Sequence, residues 1–508
     1  MSIGGRVRRG VVAAACLVAL APARANAQND PDAGRWQMIV LDAPAEFPLA
    51  APQQVSSLSY QAELASIRAA QSQLSEAQRK SIDYWSAGGV LRWNEILLEL
   101  VARADLPPAP RADGTYPVPD ANNPFADPQF PFGNPPYAAR AYSYVAVAQF
   151  EALKVACYYK YLYGRPAPAA VDSGVRAVVP GSGLPAYPSE DAVLAGVTVE
   201  LLKLLFPTAV AEISARAQSQ QDAAVLSGKA APSDIAAGLA LGQAIAPVFI
   251  ARARGDGMGA AGGNAAAWQA LADAAAARGE TPWRSLENPP RPPMLPLFGR
   301  VRAWMMTPDD LARERPGLAP STSSALMARD LAEVKQAVNR ITREQLAIVY
   351  KWADGVSTPT PPGHWNFIAE SYVKDAHLSE VRAARVFALL NMAMLDAAVG
   401  CWDAKFASFS PRPSQLDPSI RTVIGLPNFP SYPSGHSTFS AAAAGVLSYL
   451  FPAGSTYFHA QKDEAAMSRL YAGIHYRTDI EIGMVHGTRI GDYTIGFARR
   501  DGADLSPR

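Results

Sequence analysis

Sliding the chain along itself by 245 residues brings a string of unlike residues into register. Ala139-Arg140 meets Ala384-Arg385, and Lys160 meets Lys405. Tyr187-Pro188-Ser189 meets Tyr432-Pro433-Ser434, and Phe206-Pro207 meets Phe451-Pro452. Gly228 meets Gly473, Asp234-Ile235 meets Asp479-Ile480, and Gly238 and Gly242 meet Gly483 and Gly487. With gaps, Trp85-x-x-Gly88 matches Trp352-x-x-Gly355, Trp93-Asn94 matches Trp365-Asn366, and Arg165-Pro166 matches Arg412-Pro413. Shared alanine content cannot align Tyr, Pro, Lys and Asp at one offset over about a hundred positions. The chain therefore reads as two related units that must fold alike.

Each unit reads as helical. Ala-, Leu- and Glu/Gln-rich stretches with helical spacing of apolar positions predict helices at 90–104, 139–163, 192–206, 235–251, 326–353, 379–406, 437–451 and 462–472. Strand signals are scarce, so the expected class is all-α: two related helical bundles. The expected layout is a leader at 1–27, an N-terminal arm at 28–80, a degenerate bundle at 81–255, a Pro/Gly-rich connection at 256–329 and a second bundle at 330–508. Pro-rich stretches at 105–136 and 280–299 exclude helix, and 254–267 reads as a flexible link.

The leader has a basic start (Arg6, Arg8, Arg9), an apolar run at 10–23 and small residues at Ala25-Asn26-Ala27. That pattern predicts a secretory signal peptide and an exported, periplasmic or extracellular protein. No later apolar run of spanning length is free of charge, so no membrane span is expected after it. With 46 basic against 45 acidic residues, no global field draws nucleic acid. Cys157 and Cys401 remain after the leader, and one disulfide between them is open. Oligomeric state is also open.

The two units differ selectively. Gly435-His436 stands where the first unit has Glu190-Asp191. Arg469 stands opposite Ala224, His475 opposite Ala230 and Asp354 opposite Ala87. A copy that keeps its glycines and loses its cations and imidazoles reads as scaffold, so the chemistry belongs to the second. Glu190-Asp191 at a helix start serves the dipole more readily than a cation.

Three clusters carry the second unit. Lys405 and Arg412 are seven residues apart around a helix end, so both can point one way. Pro433-Ser434-Gly435-His436 precedes a helix, where free N–H groups favour an anion and Gly permits its close approach. Arg469 and His475 flank Gly473, which allows a turn. Asp479, four residues after His475 on the following helix, can accept from one ring nitrogen and leave the other free. Together they suit a tetrahedral oxyanion approached by one histidine and protonated by another. Of the other histidines, His364 is placed in a loop at the pocket mouth, and His377, His459 and His486 at the surface or at helix ends.

In order and spacing these clusters resemble the type 2 phosphatidic acid phosphatase / vanadium haloperoxidase superfamily. The resemblance implies that Lys405, Arg412, Ser434, Gly435 and Arg469 bind oxyanion oxygens and that His436 is the acid/base. It implies that His475 is a phosphorylated nucleophile or the vanadium ligand, oriented by Asp479. The stretch "YKWADGVSTPTPPGHWN", Trp402 and "FPSYPSGH" resemble the vanadium chloroperoxidase branch. There Asp354 would support an active-site Arg, and Trp402, Phe429 and His364 would support the site. The leading expectation is a vanadate-dependent haloperoxidase-like oxidoreductase acting on peroxide and halide. A soluble exported phosphatase, with no cofactor and a phosphohistidine at His475, is the alternative. A non-catalytic phosphate-binding scaffold is the third, although binding alone would not need His436 and His475.

Overall fold

A computed structural model of the chain describes residues 30–106, 112–113, 135–179, 183–287 and 290–503. The leader at 1–27 and most of the Pro-rich stretch at 105–136 lie outside the described residues. Among the described residues there is no strand, as the all-α reading requires. The helices that matter are α1 (Leu58–Ser72), α2 (Glu76–Trp85), α3 (Gly89–Ala104), α4 (Pro135–Tyr163), α5 (Glu190–Leu205), α6 (Val210–Leu226) and α7 (Pro232–Arg254). They are followed by α8 (Ala325–Asn339), α9 (Arg343–Lys351), α10 (Thr360–Asp375), α11 (Glu380–Ser408), α12 (Gly435–Leu450), α13 (Ser455–Tyr471) and α14 (Arg477–Ala498).

Helices α4 and α11, 29 residues each, lie against one another at the centre. Both are buried on nearly every face, which is why their sequences are apolar all round rather than striped. The helices α4 to α7 recur as α11 to α14, and each pair starts 245 residues apart. Their anchors recur too. Arg140 donates to Asp256 at 2.7 Å and to the Ala253 carbonyl, and Arg385 donates to Asp501 at 2.7 Å and to the Ala498 carbonyl. The indole of Trp85 donates to Ser219, and that of Trp352 to Glu464.

Within each set the last helix lies against the second, and glycines make the approach possible. A Cβ on Gly483 would stand 2.8 Å from the Ser434 carbonyl oxygen, and one on Gly487 would collide with the Thr438 carbonyl. Gly238 and Gly242 meet the Ser189 and Val193 carbonyls in the same way. This contact brings the start of α14, with Asp479, beside the start of α12, where Ser434 N–H donates to the Asp479 carbonyl at 2.9 Å.

Several expectations need correction. The stretch 326–353 is two helices, because Thr342 and Gln345 form a capping box that starts α9. Residues 254–267 are no flexible link: Asp256 is buried under Arg140 and Tyr144, and a new helix starts at Ala265. The "PPGHWN" stretch is the first turn of α10, so His364 is helical. His475 precedes α14 rather than lying on it. His486 is buried and bonded to the Glu314 carbonyl. Cys157 and Cys401 are buried free thiols. Two segments, Pro232–Ala260 and Glu380–Leu416, are long and apolar enough to cross a membrane. The second contains α11, the buried central helix of this fold, so neither segment overturns the expectation of no span.

Gly487→Ala is expected to lower stability by roughly 1–3 kcal/mol, since the added methyl meets a backbone carbonyl. Gly445→Ala, in the interior of α12, would meet only Ile495 at 3.8 Å; it is expected to stabilise by about 0.4–1 kcal/mol. Urea unfolding of the two variants checks both signs.

Candidate active site

The site forms where the end of α11, the strap at 429–434, the starts of α12 and α14 and the end of α13 meet. Lys405 is completely buried near the end of α11. Its ammonium donates to the carbonyls of Pro430 (2.9 Å), Ser431 (2.8 Å) and Pro433 (2.5 Å). Arg412 follows the Phe409 turn, which closes α11 in the left-handed conformation. It donates to the Phe429 carbonyl through Nε and Nη2, and to the Ile474 carbonyl through Nη1 at 2.8 Å. The Phe429 ring stands between the two cations, 5.1 Å from Lys405 Nζ and 5.2 Å from Arg412 Cζ. Trp402 packs behind that ring at 4.9 Å.

Ser434 caps α12, and its hydroxyl accepts from Ser437 N–H. A Cβ on Gly435 would touch only Phe439, at 3.9 Å, so the helix start faces open space. Arg469, at the end of α13, donates from Nε to Ser468 Oγ and from Nη2 to the Trp352 carbonyl.

The hydrogen bonds assign the tautomer of His475. Nδ1 is 2.9 Å from Asp479 Oδ2, while Nε2 is 3.1 Å from Arg412 Nη1, which can only donate. The proton therefore sits on Nδ1, and Nε2 presents its lone pair. Asp479 Oδ2 also accepts from Ser431 Oγ (2.6 Å) and from Tyr476 N–H (3.2 Å). Ser431 is a site residue that sequence reasoning did not name, although it is the third residue of the quoted "FPSYPSGH".

Asp354 makes no direct hydrogen bond to an Arg, although its charge is the one that supports protonated Arg469. Its Oδ1 bonds His364 Nδ1 at 3.0 Å, and its Oδ2 faces His436 Nε2 at 3.4 Å. Arg469 has the Trp352 carbonyl instead, two residues before Asp354. His364 is helical rather than in a loop, and its ring stacks on Trp352 with centroids 4.0 Å apart.

In the first set of helices the matching place is filled and its charges are paired. Lys160 lies 3.9 Å from Glu190, and Lys229 bonds Asp191 at 2.8 Å. Arg165, with no imidazole beside it, turns to Asp234 (3.5 Å) and stacks 4.0 Å over the Tyr60 ring from α1. Among the described residues no His, Cys, Asp and Glu cluster suits a metal ion, and Glu190 and Asp191 are salt-bridge partners.

Residues 385–500 match the PAP2 superfamily. The matched segment carries all three clusters. The vanadium chloroperoxidase of Curvularia inaequalis is 30% identical over 187 residues, 29% of this chain and 31% of that enzyme. The match thus spans about a third of that relative. Over longer lengths the fold resembles two solved structures. One is described as the first bacterial vanadium-dependent iodoperoxidase: 22% identity, TM-score 0.57, 80% of this chain and 95% of that chain. The other is a holo-type bacterial vanadium-dependent chloroperoxidase: 16% identity, TM-score 0.51, 79% and 97%. The all-helical fold is that of the vanadium haloperoxidases.

The donor set of the matched segment fits an oxyanion. Three buried cations, a helix start and a lone-pair nitrogen surround a site whose nearest carboxylate, Asp479, is already bonded three times. Burial drives the ionisable groups toward neutrality. It lowers Lys405 and brings Arg412 and Arg469 down to about 10. His475 falls well below the ordinary imidazole range, through burial and then through Arg412, Lys405 and Arg469. His436 falls to about 4, through burial and Arg469, with Asp354 opposing. Burial alone would raise Asp354, but bonds from His364 and His436 hold it well below the usual carboxylate range.

The depressed His436 predicts a pH effect. Below about pH 6.5 an unfolded chain protonates this ring while the folded protein does not, so stability falls as pH drops toward 4. Between pH 7 and pH 5 this one group costs up to about 1–2 kcal/mol. His436→Gln is expected to reduce the stability difference between those two pH values, as read by urea unfolding at each.

Proposed function

We propose that the chain is an exported, vanadate-dependent haloperoxidase-like oxidoreductase that uses peroxide to oxidise halide. The observation that carries this reading is the closure of the oxyanion site. Lys405, Arg412, Arg469 and His475 are each at most 2% exposed. A phosphatase must exchange a phosphoester and release phosphate at every turnover, whereas a haloperoxidase must retain its oxyanion. A closed cradle suits retention, and peroxide and halide are small enough to reach it. A shallow surface depression lined by Trp283, Leu286, Asn428 and Arg412 abuts the cradle from outside.

In this reading His475 Nε2 is the vanadium ligand, and Asp479 keeps the proton on Nδ1. Lys405, Arg412, Arg469, Ser434 and the Gly435 amide hold the oxyanion oxygens. When bound, vanadate supplies a Lewis-acidic centre that activates peroxide toward halide. His436 moves the proton. Its depressed basicity leaves it neutral at working pH, ready to accept a proton from incoming peroxide and return it to a leaving oxygen. Phe429 and Trp402 wall the cradle with apolar surface, which keeps water out and strengthens each charged hydrogen bond.

The PAP2 match favours one second reading. The same residues would serve a phosphatase with a phosphohistidine at His475, because pentavalent vanadate mimics that transition state. Bound vanadate separates the two, since it activates a haloperoxidase and inhibits a phosphatase. Vanadate-free protein is expected to gain bromide oxidation when vanadate is added with peroxide, and excess phosphate should suppress the gain. Inhibition of phosphoester hydrolysis by vanadate, with no halide oxidised between about pH 5 and 8 where imidazoles titrate, would reverse the assignment.

Two substitutions test the site itself. His475→Ala is expected to abolish turnover, while Glu190→Ala with Asp191→Ala leaves it nearly intact if that variant folds. Arg469→Ala is expected to weaken vanadate or phosphate binding by more than about 1.5 kcal/mol, the lower range for a charged hydrogen bond. Calorimetric titration measures it.

A further inference from the structure

The loop between α9 and α10 is unusually constrained. Asp354, Ser357 and Thr360 all adopt positive φ, at 44°, 63° and 64°. Side chains other than Gly adopt this region at a cost, and such costs cluster where geometry is used. Asp tolerates the left-handed region better than most residues. Here its carboxylate lies between two rings. Oδ1 accepts from His364 Nδ1 at 3.0 Å, and Oδ2 faces His436 Nε2 at 3.4 Å. Oδ2 and His436 Nε2 are buried, and neither has a hydrogen-bond partner among the described residues.

His364 is fixed from two sides. Its ring lies flat on Trp352, tilted by 11°, and Trp352 is itself completely buried with its indole bonded to Glu464. The Trp352 carbonyl meanwhile holds Arg469. One aromatic shelf thus sets both the cation of the cradle and the histidine that grips Asp354. His364 touches no other residue of the oxyanion cradle in its hydrogen bonds; its polar contact is Asp354.

We propose that His364 is a positioning residue that acts through Asp354 on His436. By donating from Nδ1 to one carboxylate oxygen, it holds the other toward His436 and so fixes the orientation and basicity of the ring that moves the proton. This rests on the role given to His436 above, but the arrangement can be read without turnover. The other charged or titratable groups facing His436 are Arg469 and His475, and those around His364 are Glu464 and Lys351.

The test follows the His436 ring by NMR in histidine-labelled protein. The chain has six histidines, and the signal is assigned by its loss in His436→Gln. His364→Phe keeps a flat ring on Trp352 and deletes the donor. His364→Asn deletes the ring and returns an amide nitrogen near the place of Nδ1. The His436 titration midpoint is expected to fall by at least about half a unit in the Phe variant and to recover in the Asn variant. Asp354→Asn, which removes the charge, is expected to lower it too, and carries the test if the Phe variant does not fold. In whichever reaction the wild type performs, kcat should fall at least about tenfold in the Phe variant with KM changed less than twofold. An unmoved midpoint in both His364→Phe and Asp354→Asn overturns the proposal, as does an Asn variant no better than the Phe variant. If the wild type performs neither halide oxidation nor phosphoester hydrolysis, the functional reading fails, and the NMR midpoints still decide this one.

Discussion

The architecture of the second helical set depends on keeping three cations inside the protein. Lys405, Arg412 and Arg469 are each at most 1% exposed, and an unpaired buried charge costs several kcal/mol. None of the three has a carboxylate as its direct partner in the cradle. Backbone carbonyls carry the load instead: three for Lys405, those of Phe429 and Ile474 for Arg412, and that of Trp352 for Arg469. Carbonyls are dipoles and do not cancel charge. The cradle's own groups therefore make it electrostatically positive, and burial lowers the basicity of all three cations. A bound oxyanion would offset that positive charge.

The first helical set shows what the same scaffold does without that task. Lys160 and Arg165 remain, but Glu190 and Asp191 supply the missing negative charge, and Lys229 balances the surplus. Tyr60 from the N-terminal arm closes over Arg165. The buried anchors that hold the helices together, Arg140 with Asp256 and Arg385 with Asp501, are the same in both sets. Framework and chemistry are thus separable: one survives where the other has been replaced by internal ion pairs.

Histidine basicity in the second helical set follows from the same positive charge. Both His436 and His475 sit in a positive, dry environment that penalises protonation. Each is countered by one carboxylate. Asp479 spends itself on fixing the His475 tautomer, and Asp354 is shared between His436 and His364. The two carboxylates differ accordingly. Asp479 is raised, burial outweighing its bonds, whereas Asp354 is held low because two rings can donate to it.

The helical class, the 245-residue register and most of the site were legible in the sequence. Apolar periodicity and Gly, Pro and Ser punctuation are local signals, and Lys405, Arg412, Ser434, Gly435, His436, Arg469, His475 and Asp479 stand in three compact clusters. Helices α1, α2, α6 and α10 were missed: the first three are Gln-, Ser- and charge-rich with few apolar residues, and α10 opens on Pro361 and Pro362. What only the tertiary structure decided is which charges meet. Asp354 lies more than a hundred residues from Arg469 along the chain, and spacing alone could not show that the Trp352 carbonyl takes the guanidinium and frees Asp354 for His364 and His436. Composition likewise allowed a Cys157–Cys401 disulfide that folding leaves as two buried thiols. Residue type and local spacing set which groups can bind an anion, but long-range packing sets their partners, because a buried charge takes whichever dipole or counter-charge the fold brings within about 3 Å.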